Sequence, residues 1–488
     1  MTDSKRYNRI LQVIDDHLIP DEEAKKQRGE VFTPPDLVRE MLFGLRKDKL
    51  REGKTEIFGV DNDGNFIEES EDNRVGGLSN EVWRNPNLKW LDPSNGIGNF
   101  PVIAFYKLDY ELSNVKGYEE KEKRHKHIIE NMLFMIEIDK GNCITCRQIF
   151  RKIDNDAKPN ICCADTLSMN DAILSKVFDG VNRFDIIMGN PPFQKPKEGH
   201  LKGGFGGRTL WDEFVKFSLK ILNTNKFLVF LHPPGWRKPE SDLYKLMTST
   251  NYIQFLKIFP KQNNWFNIPQ RFDYYVLIKT INESESMIVN EQNKIENVLL
   301  SSMPFIPNYN ILNIKKFLVF EGGIDVIYSR SKFGTDKVQV KSDKSKEFKY
   351  PIIHEMNQKG LGIRYTNKPD FEDKSNQRHF GVSKVILSFN EKQYPLNDYE
   401  GTYGMSQITF GLPISSKKEG DNIVKAINSD EFADIIKATK WGAFQTEYKM
   451  FRYLKKDFWK SFISHKLKQG GRITRRKLRY LKNTTRKN

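Results

Sequence analysis

Cysteine is scarce in this chain. Four cysteines in 488 residues, at positions 143, 146, 162 and 163, are too few for a disulfide framework and suit a reducing compartment. They also make a poor zinc site. Cys143-x-x-Cys146 reads as helix, whereas Cys162-Cys163 reads as strand, where neighbouring residues face opposite sides; no metal is expected. Long apolar runs are missing too. Nothing approaches the roughly 18 apolar residues that span a bilayer, and Met1–Ile10 has no apolar signal-peptide core. A membrane partner is therefore not expected. There is no Walker-type motor motif and no repeat period. Acidic residues are absent from the last stretch. The chain holds 79 Lys and Arg against 63 Asp and Glu, and ten of the basic residues fall in Lys466–Asn488 without one acid, leaving 69 against 63 elsewhere. So local an imbalance points to a polyanion, nucleic acid above all.

With 38% hydrophobic and 12% aromatic residues, the chain is globular, and its length suits more than one core. Residues 1–28 read as a helical, charged lead-in. A helix start follows at Thr33-Pro34-Pro35-Asp36, with Thr33 as N-cap and Leu37, Val38, Met41, Leu42 and Leu45 at helical spacing. Residues 56–70 read as a hairpin with Asp61–Gly64 at its turn; that turn is not a calcium loop, because Ser70 stands where the bidentate acid belongs. Apolar runs then alternate with helical patterns at 89–91, 133–138, 160–164, 184–188, 227–231, 253–258 and 274–278. Continuous apolar strands between helices predict an α/β fold with a mostly parallel sheet, and the closeness of the last two runs predicts an antiparallel edge strand. Beyond about residue 300 the pattern becomes mixed α+β. The expected division is a catalytic domain over 29–290, a second domain over 300–460 and a basic tail over 466–488.

Four strand ends carry chemistry. Leu91–Phe100 (LDPSNGIGNF) runs from strand through a small-residue turn into a helix, which lets backbone approach a nucleotide. A dinucleotide fingerprint needs a third glycine where Pro101 stands, so NAD is disfavoured. Met135–Asp139 ends a strand in Glu137, placed to accept from ribose hydroxyls, and Asp139 can instead cap the next helix. Cys163-Ala164-Asp165 ends another strand in an acid. Asp185–Phe193 (DIIMGNPPF) is the most informative. Asn190 offers a carbonyl, Pro191 and Pro192 fix the backbone and remove two donors, and Phe193 offers a flat face. An aromatic amino group is a poor nucleophile because its lone pair is delocalised. Two acceptors on its hydrogens draw the nitrogen toward tetrahedral geometry and aim the lone pair at an electrophile, while a ring holds the base plane.

In order, Gly29–Pro35 (GEVFTPP), Asp92–Phe100, Glu137, Asp165 and Asn190–Phe193 (NPPF) resemble the motif series of the N6-adenine-specific DNA methyltransferases. The resemblance is to restriction-modification-like members with a C-terminal target-recognition domain, and it covers residues 28–280. It implies a class I S-adenosylmethionine-dependent methyltransferase fold, Rossmann-like, with an α+β recognition domain. By the same resemblance Thr33 meets the cofactor's methionine carboxylate. Asp92, Pro93, Gly96 and Gly98 lie along its methionine and ribose. Glu137 takes the ribose hydroxyls and Asp165 the adenine amino group, while Asn190, Pro191, Pro192 and Phe193 hold the target adenine. A second aromatic on that base is sought among Trp265, Phe266 and Phe272. Ser94-Asn95 departs from the family's usual residues at the glycine turn.

The implied partner is double-stranded DNA with the adenine flipped out. A separately encoded endonuclease and a cytoplasmic location, nuclear in a eukaryotic or viral source, go with it. RNA adenine, a protein glutamine amide and a non-catalytic DNA-binding module are the alternatives. Base reading is sought in 300–460, at Lys341–Lys349, Asn376–Lys384, Gly404–Gln407 and Trp441–Thr446. The glycine-rich Gly203–Arg208 is either a loop that closes on DNA or a linker.

Overall fold

The computed structural model describes residues 33–193, 209–262, 265, 271–330, 333, 340–369, 378–442 and 446–463. The lead-in 1–28, Gly29–Phe32, Gly203–Arg208, Phe266, Asn376 and the tail 466–488 lie outside them. The chain divides into two compact units. The first holds the described residues from Thr33 to Leu312 with Trp441 and Gly442; the second holds those from Asn313 to Lys440 and from Thr446 to Ile463.

The first unit is organised by one nine-stranded sheet. In chain order its strands are β1 (Trp90–Asp92), β2 (Leu133–Glu137), β3 (Asn160–Cys163), β4 (Phe184–Gly189), β5 (Leu222–His232), β6 (Tyr252–Ile258), β7 (Asp273–Ile278), β8 (Ser286–Val289) and β9 (Ile295–Val298). Their spatial order is β9-β8-β6-β7-β5-β4-β1-β2-β3. Strands β1 to β5 pair in parallel. β7 is antiparallel to both β5 and β6. The second run of the expected edge pair is thus internal, and the antiparallel strand at the edge is β9, paired to β8. Burial explains the continuous apolar runs: every residue of β2 and β4 is buried, as a sheet covered on both faces requires. Between the strands run α2 (Asn99–Leu112), α3 (Lys140–Ile153), α4 (Asp171–Val177) and α5 (Trp211–Ile221).

Before the sheet, α1 (Pro35–Phe43) differs from the sequence expectation at both ends. Its N-cap is Pro34, in extended geometry, and no side chain caps it. Thr33 lies one residue further out, because Pro35 already occupies the first helical turn. At the other end Gly44 takes φ 89°, and a Cβ there would meet the Gly76 carbonyl oxygen at 2.6 Å, so the helix stops before Leu45. Glu40 fixes α1 to the sheet: it pairs with Lys257 at 2.8 Å and accepts from the Tyr274 hydroxyl at 3.0 Å. The expected hairpin over 56–70 contracts to a single Val60–Phe66 bridge, whose turn Asp61 holds by accepting the Asp63 and Asn65 amides.

The second unit contains two small sheets, of order β10-β12-β11-β15 and β14-β13-β16. Their strands are β10 (Val340–Lys341), β11 (Tyr350–Asn357), β12 (Gly360–Thr366), β13 (Lys384–Ser388), β14 (Leu396–Asp398), β15 (Gly404–Met405) and β16 (Thr409–Pro413). Helices α6 (Lys417–Ile427) and α7 (Asp430–Ala438) follow. A buried Lys384–Asp398 pair at 2.7 Å joins β13 to β14. Of the segments considered for base reading, residues 341–347 and 349 are exposed, and β15 is buried and pairs with β11. Trp441 is a core residue of the first unit instead: it is buried edge-on against Phe305 and donates to the Ile306 carbonyl at 2.8 Å.

Candidate functional site

The parallel register aligns the carboxyl ends of β1 to β4 along one edge of the sheet, where Asp92, Glu137, Cys163 and Gly189 end their strands. That edge is where open α/β sheets bind ligands.

The first turn is held from below by the second strand. Asn95 donates its amide to the Ile136 carbonyl at 3.1 Å, and Gly96 donates to Glu137 Oε2 at 2.7 Å. The other Glu137 oxygen accepts the Asp139 amide at 2.8 Å. Glycine is needed at Gly98, which takes φ 107° and whose Cβ would sit 2.9 Å from Cys146 Sγ. Asp139 caps α3 by accepting from the Asn142 amide at 3.1 Å. Asp165 is exposed and caps the short turn Thr166–Ser168 through the Leu167 amide at 3.0 Å. The Thr166 hydroxyl donates to the Pro93 carbonyl, tying this turn to the first. Thr33 is buried, and its carbonyl accepts from Asn99 Nδ2 at 2.8 Å at the start of α2.

Polar atoms collect here. Asp92 Oδ2, Ser94 Oγ, Asn95 Oδ1 and Asn99 Oδ1 are buried and find no hydrogen-bond partner among the described residues. Burial pushes the Asp92 carboxyl up to about 8, with nearby Glu137 adding to the shift against the pull of the Ser94 amide. Buried polar groups without partners are costly, so such a cluster at a strand-end crevice is a seat for a polar ligand. Sequence reasoning missed Ile138. It is 69% exposed directly after Glu137; its signal was a large aliphatic residue at the end of an apolar strand run.

Asn190, Pro191, Pro192 and Phe193 follow β4. Asn190 is half-buried and Pro191 buried. Gly189 brings this turn against the first one: at φ 155°, its Cβ would lie 2.9 Å from Asp92 Oδ1 and 3.6 Å from Ser94 Oγ. No side chain fits between the two turns. Phe193 is anchored by its carbonyl, which accepts from the Leu210 amide at 3.2 Å, and its ring lies 5.4 Å from that of Phe272. Of the aromatics considered as a second ring on the base, Phe272 is buried against Phe193, Trp265 is half-buried and packs on the core, and Phe266 lies outside the described residues.

Behind this turn lies a ring cluster that the sequence did not reveal. Trp211 stacks on His232 at 4.3 Å, and His232 Nε2 meets the Tyr275 hydroxyl at 3.1 Å. Burial pulls the His232 imidazole down to about 4, so it is neutral. Beside it, Arg237 and Asp273 form a fully buried pair at 2.6 Å, and Arg237 also donates to the Ile306 carbonyl and Asn308 Oδ1. Among the described residues no group of three or more His, Cys, Asp or Glu side chains could hold a metal ion.

A parallel sheet whose β7 inserts antiparallel between β5 and β6, with a glycine turn after β1, an acid ending β2 and a proline-rich turn after β4, defines the class I methyltransferase fold. More narrowly, residues 55–266 match the family described as Eco57I restriction-modification methylase. A relative described as an uncharacterized adenine-specific methylase of Mycoplasma pneumoniae is 25% identical over a 218-position alignment, which covers 32% of this chain and 50% of the relative. Among solved structures, the Type IIL restriction-modification enzyme MmeI in complex with DNA is similar at 13% identity and a TM-score of 0.49, over 83% of this chain and 65% of that one. The M protein of the Type I restriction enzyme EcoKI is similar at 12% identity and a TM-score of 0.32, over 58% of this chain and 64% of that one. The chain thus spans half the length of the Mycoplasma relative and 65% of the MmeI chain.

Proposed function

We propose that the protein is a site-specific DNA methyltransferase that transfers a methyl group from S-adenosylmethionine to N6 of an adenine flipped out of DNA. The observation that carries this reading is the approach of the two turns: Gly189, next to Asn190, lies against Asp92 and Ser94. A cofactor on the first turn and a base on the second would then share one pocket.

The residues fit that cofactor. Glu137 would hold the ribose hydroxyls, Ile138 would cover an adenine face, and Asp165 would take the adenine amino group. Asp92, Pro93, Ser94, Gly96 and Gly98 line the methionine and ribose, with Thr33 at the amino end of α1 near the carboxylate. When bound, S-adenosylmethionine supplies the electrophilic methyl. The protein's own part is to prepare the nucleophile. The Asn190 side-chain carbonyl and the Pro191 backbone carbonyl accept the two amino hydrogens, which localises the lone pair, while Pro192 stiffens the turn and Phe193 stacks on the base. Asn190 cannot take up a proton, so the proton released from N6 leaves by another route.

DNA is the partner because the second unit adds exposed basic residues, and the tail a run of basic sequence, that a small amide substrate does not require. Sequencing modified bases in DNA from cells expressing the protein tests the reading. N6-methyladenine within one recurring motif is expected. Methyl groups found only on RNA, or only on protein glutamine, would overturn it. Deleting residues 466–488 should weaken DNA binding and flatten its salt dependence, by roughly one unit of slope for each phosphate that the tail neutralises; an unaltered slope would remove the tail from the interface.

A further inference from the structure

Two of the four cysteines meet beside Glu137. Cys143 and Cys163 are joined as a disulfide, with Cα atoms 6.2 Å apart and a sequence separation of 20. Nothing in the sequence signals this pairing, because the two cysteines come from different elements. A helix and the next strand bring together one cysteine from each doublet, while Cys146 and Cys162 stay free. Cys143 is buried in the first turn of α3, with its sulfur 3.6 Å from the Glu137 carbonyl. That carbonyl also accepts from the Ala164 amide at 2.9 Å. Cys163 is exposed, lies opposite Glu137 in the sheet register, and stands two residues before Asp165. An Arg147 guanidinium nitrogen lies 3.7 Å from its sulfur.

We propose that Cys143 and Cys163 form a reversible dithiol–disulfide site that sets how tightly the cofactor crevice holds its ligand. The inference rests on the cofactor reading above and adds regulation to it. The bond ties the start of α3 to the end of β3, with Glu137 between them. Once it is broken, the covalent tie between those walls is lost, and ligand binding must restrict more of their motion. The chemistry suits exchange with a low-molecular-weight disulfide. Cys163 is the accessible sulfur of the pair and reacts first, as its thiolate. That thiolate attacks the small disulfide, forms a mixed disulfide and releases one small thiol. Cys143, after losing its proton, displaces the second small thiol and closes the protein bond. Two electrons pass from the protein sulfurs to the small disulfide, which leaves as two thiols. Cys146 takes no part: it is buried, and burial pushes its thiol up to about 12.

The test uses the full chain, equilibrated with either oxidised glutathione or dithiothreitol. Peptide mass mapping follows the bond, and calorimetry measures S-adenosylhomocysteine affinity. The oxidised protein is expected to carry the 143–163 bond and to bind about tenfold more tightly, a difference of about 1.4 kcal/mol. Cys163→Ser, at an exposed position, should show the weaker affinity under both conditions. Equal affinities in the two redox states, tighter binding on reduction, a redox response that survives in Cys163→Ser, or no mapped bond under oxidant would each overturn the proposal. Absence of binding in both states would instead overturn the methyltransferase reading, and the regulation with it.

Discussion

The carboxyl edge of the large sheet has two halves of opposite character. Around β1, β2 and β3, buried oxygens of Asp92, Ser94, Asn95 and Asn99 find no partner among the described residues, and Ile138 stands exposed. Around β5 and β7 the large buried polar side chains are paired within the protein: Arg237 with Asp273, His232 with Tyr275, and Tyr244 with the Leu300 and Met303 carbonyls. The first half is polar surface shaped for something else to complete. The second is a rigid support that sets where Phe193 and Phe272 sit. One half therefore spends folding stability on binding, while the other supplies it.

The contrast predicts that lesions in the support read out as stability and lesions in the cofactor half as affinity. Arg237→Met leaves Asp273 buried without its cation and should cost about 3–5 kcal/mol in chemical denaturation. Adding Asp273→Leu should recover most of that, because a matched apolar pair replaces a matched ionic one. A full loss that persists in the double variant would show that the pair is not the unit. A smaller effect is expected at Glu137→Gln. Weakening a charge-assisted contact should lower cofactor affinity by roughly 10- to 100-fold, while the side-chain amide that then faces the Gly96 or Asp139 N–H should cost about 1–3 kcal/mol of stability, less than at Arg237; an unchanged affinity would erase the distinction between the halves. Smaller still is the proton linkage at Asp92. Its carboxyl, raised to about 8 by burial, is protonated at neutral pH. In the ligand-free protein the stability it contributes is full below the ordinary carboxylate range and is lost as pH rises toward about 8. A cationic ligand favours the ionised form, so binding at pH 7 should release close to one proton, and affinity should climb between about pH 6 and 8 and then level. Calorimetry in buffers of different ionisation enthalpy measures this, and proton uptake on binding would contradict it.

How much was legible follows from the same division. Each cofactor-side feature is carried by contiguous residues, a strand and the turn that ends it, so Leu91–Phe100, Met135–Asp139 and Asp185–Phe193 announced themselves and their strands fell within a few residues of expectation. The support is built from residues far apart in sequence. Trp211, His232 and Tyr275 meet only after β5 and β7 pair, and no local pattern marks a histidine as stacked and neutral. Strand order is a tertiary property as well, which is why the antiparallel edge strand expected from the last two apolar runs is β9, and β7 lies inside. The Cys143–Cys163 pairing needed the exact return of α3 onto β3. Thr33 was misjudged as an N-cap because Pro34 and Pro35 both suit the position that follows one. In the second unit, strands as short as Gly404–Met405 pair across long intervals, and alternation over two residues carries no signal.

The central claim is that Asn190 serves the nucleophile and leaves the cofactor alone. Its most direct test compares the wild-type chain with Asn190→Ala in two assays on the same preparations: methyl transfer from labelled S-adenosylmethionine to DNA, with the product identified as a nucleoside, and S-adenosylhomocysteine affinity. Turnover in the variant is expected to fall by about 10²–10³, with affinity within about twofold of wild type. Undiminished N6-methyladenine formation by Asn190→Ala would contradict the account.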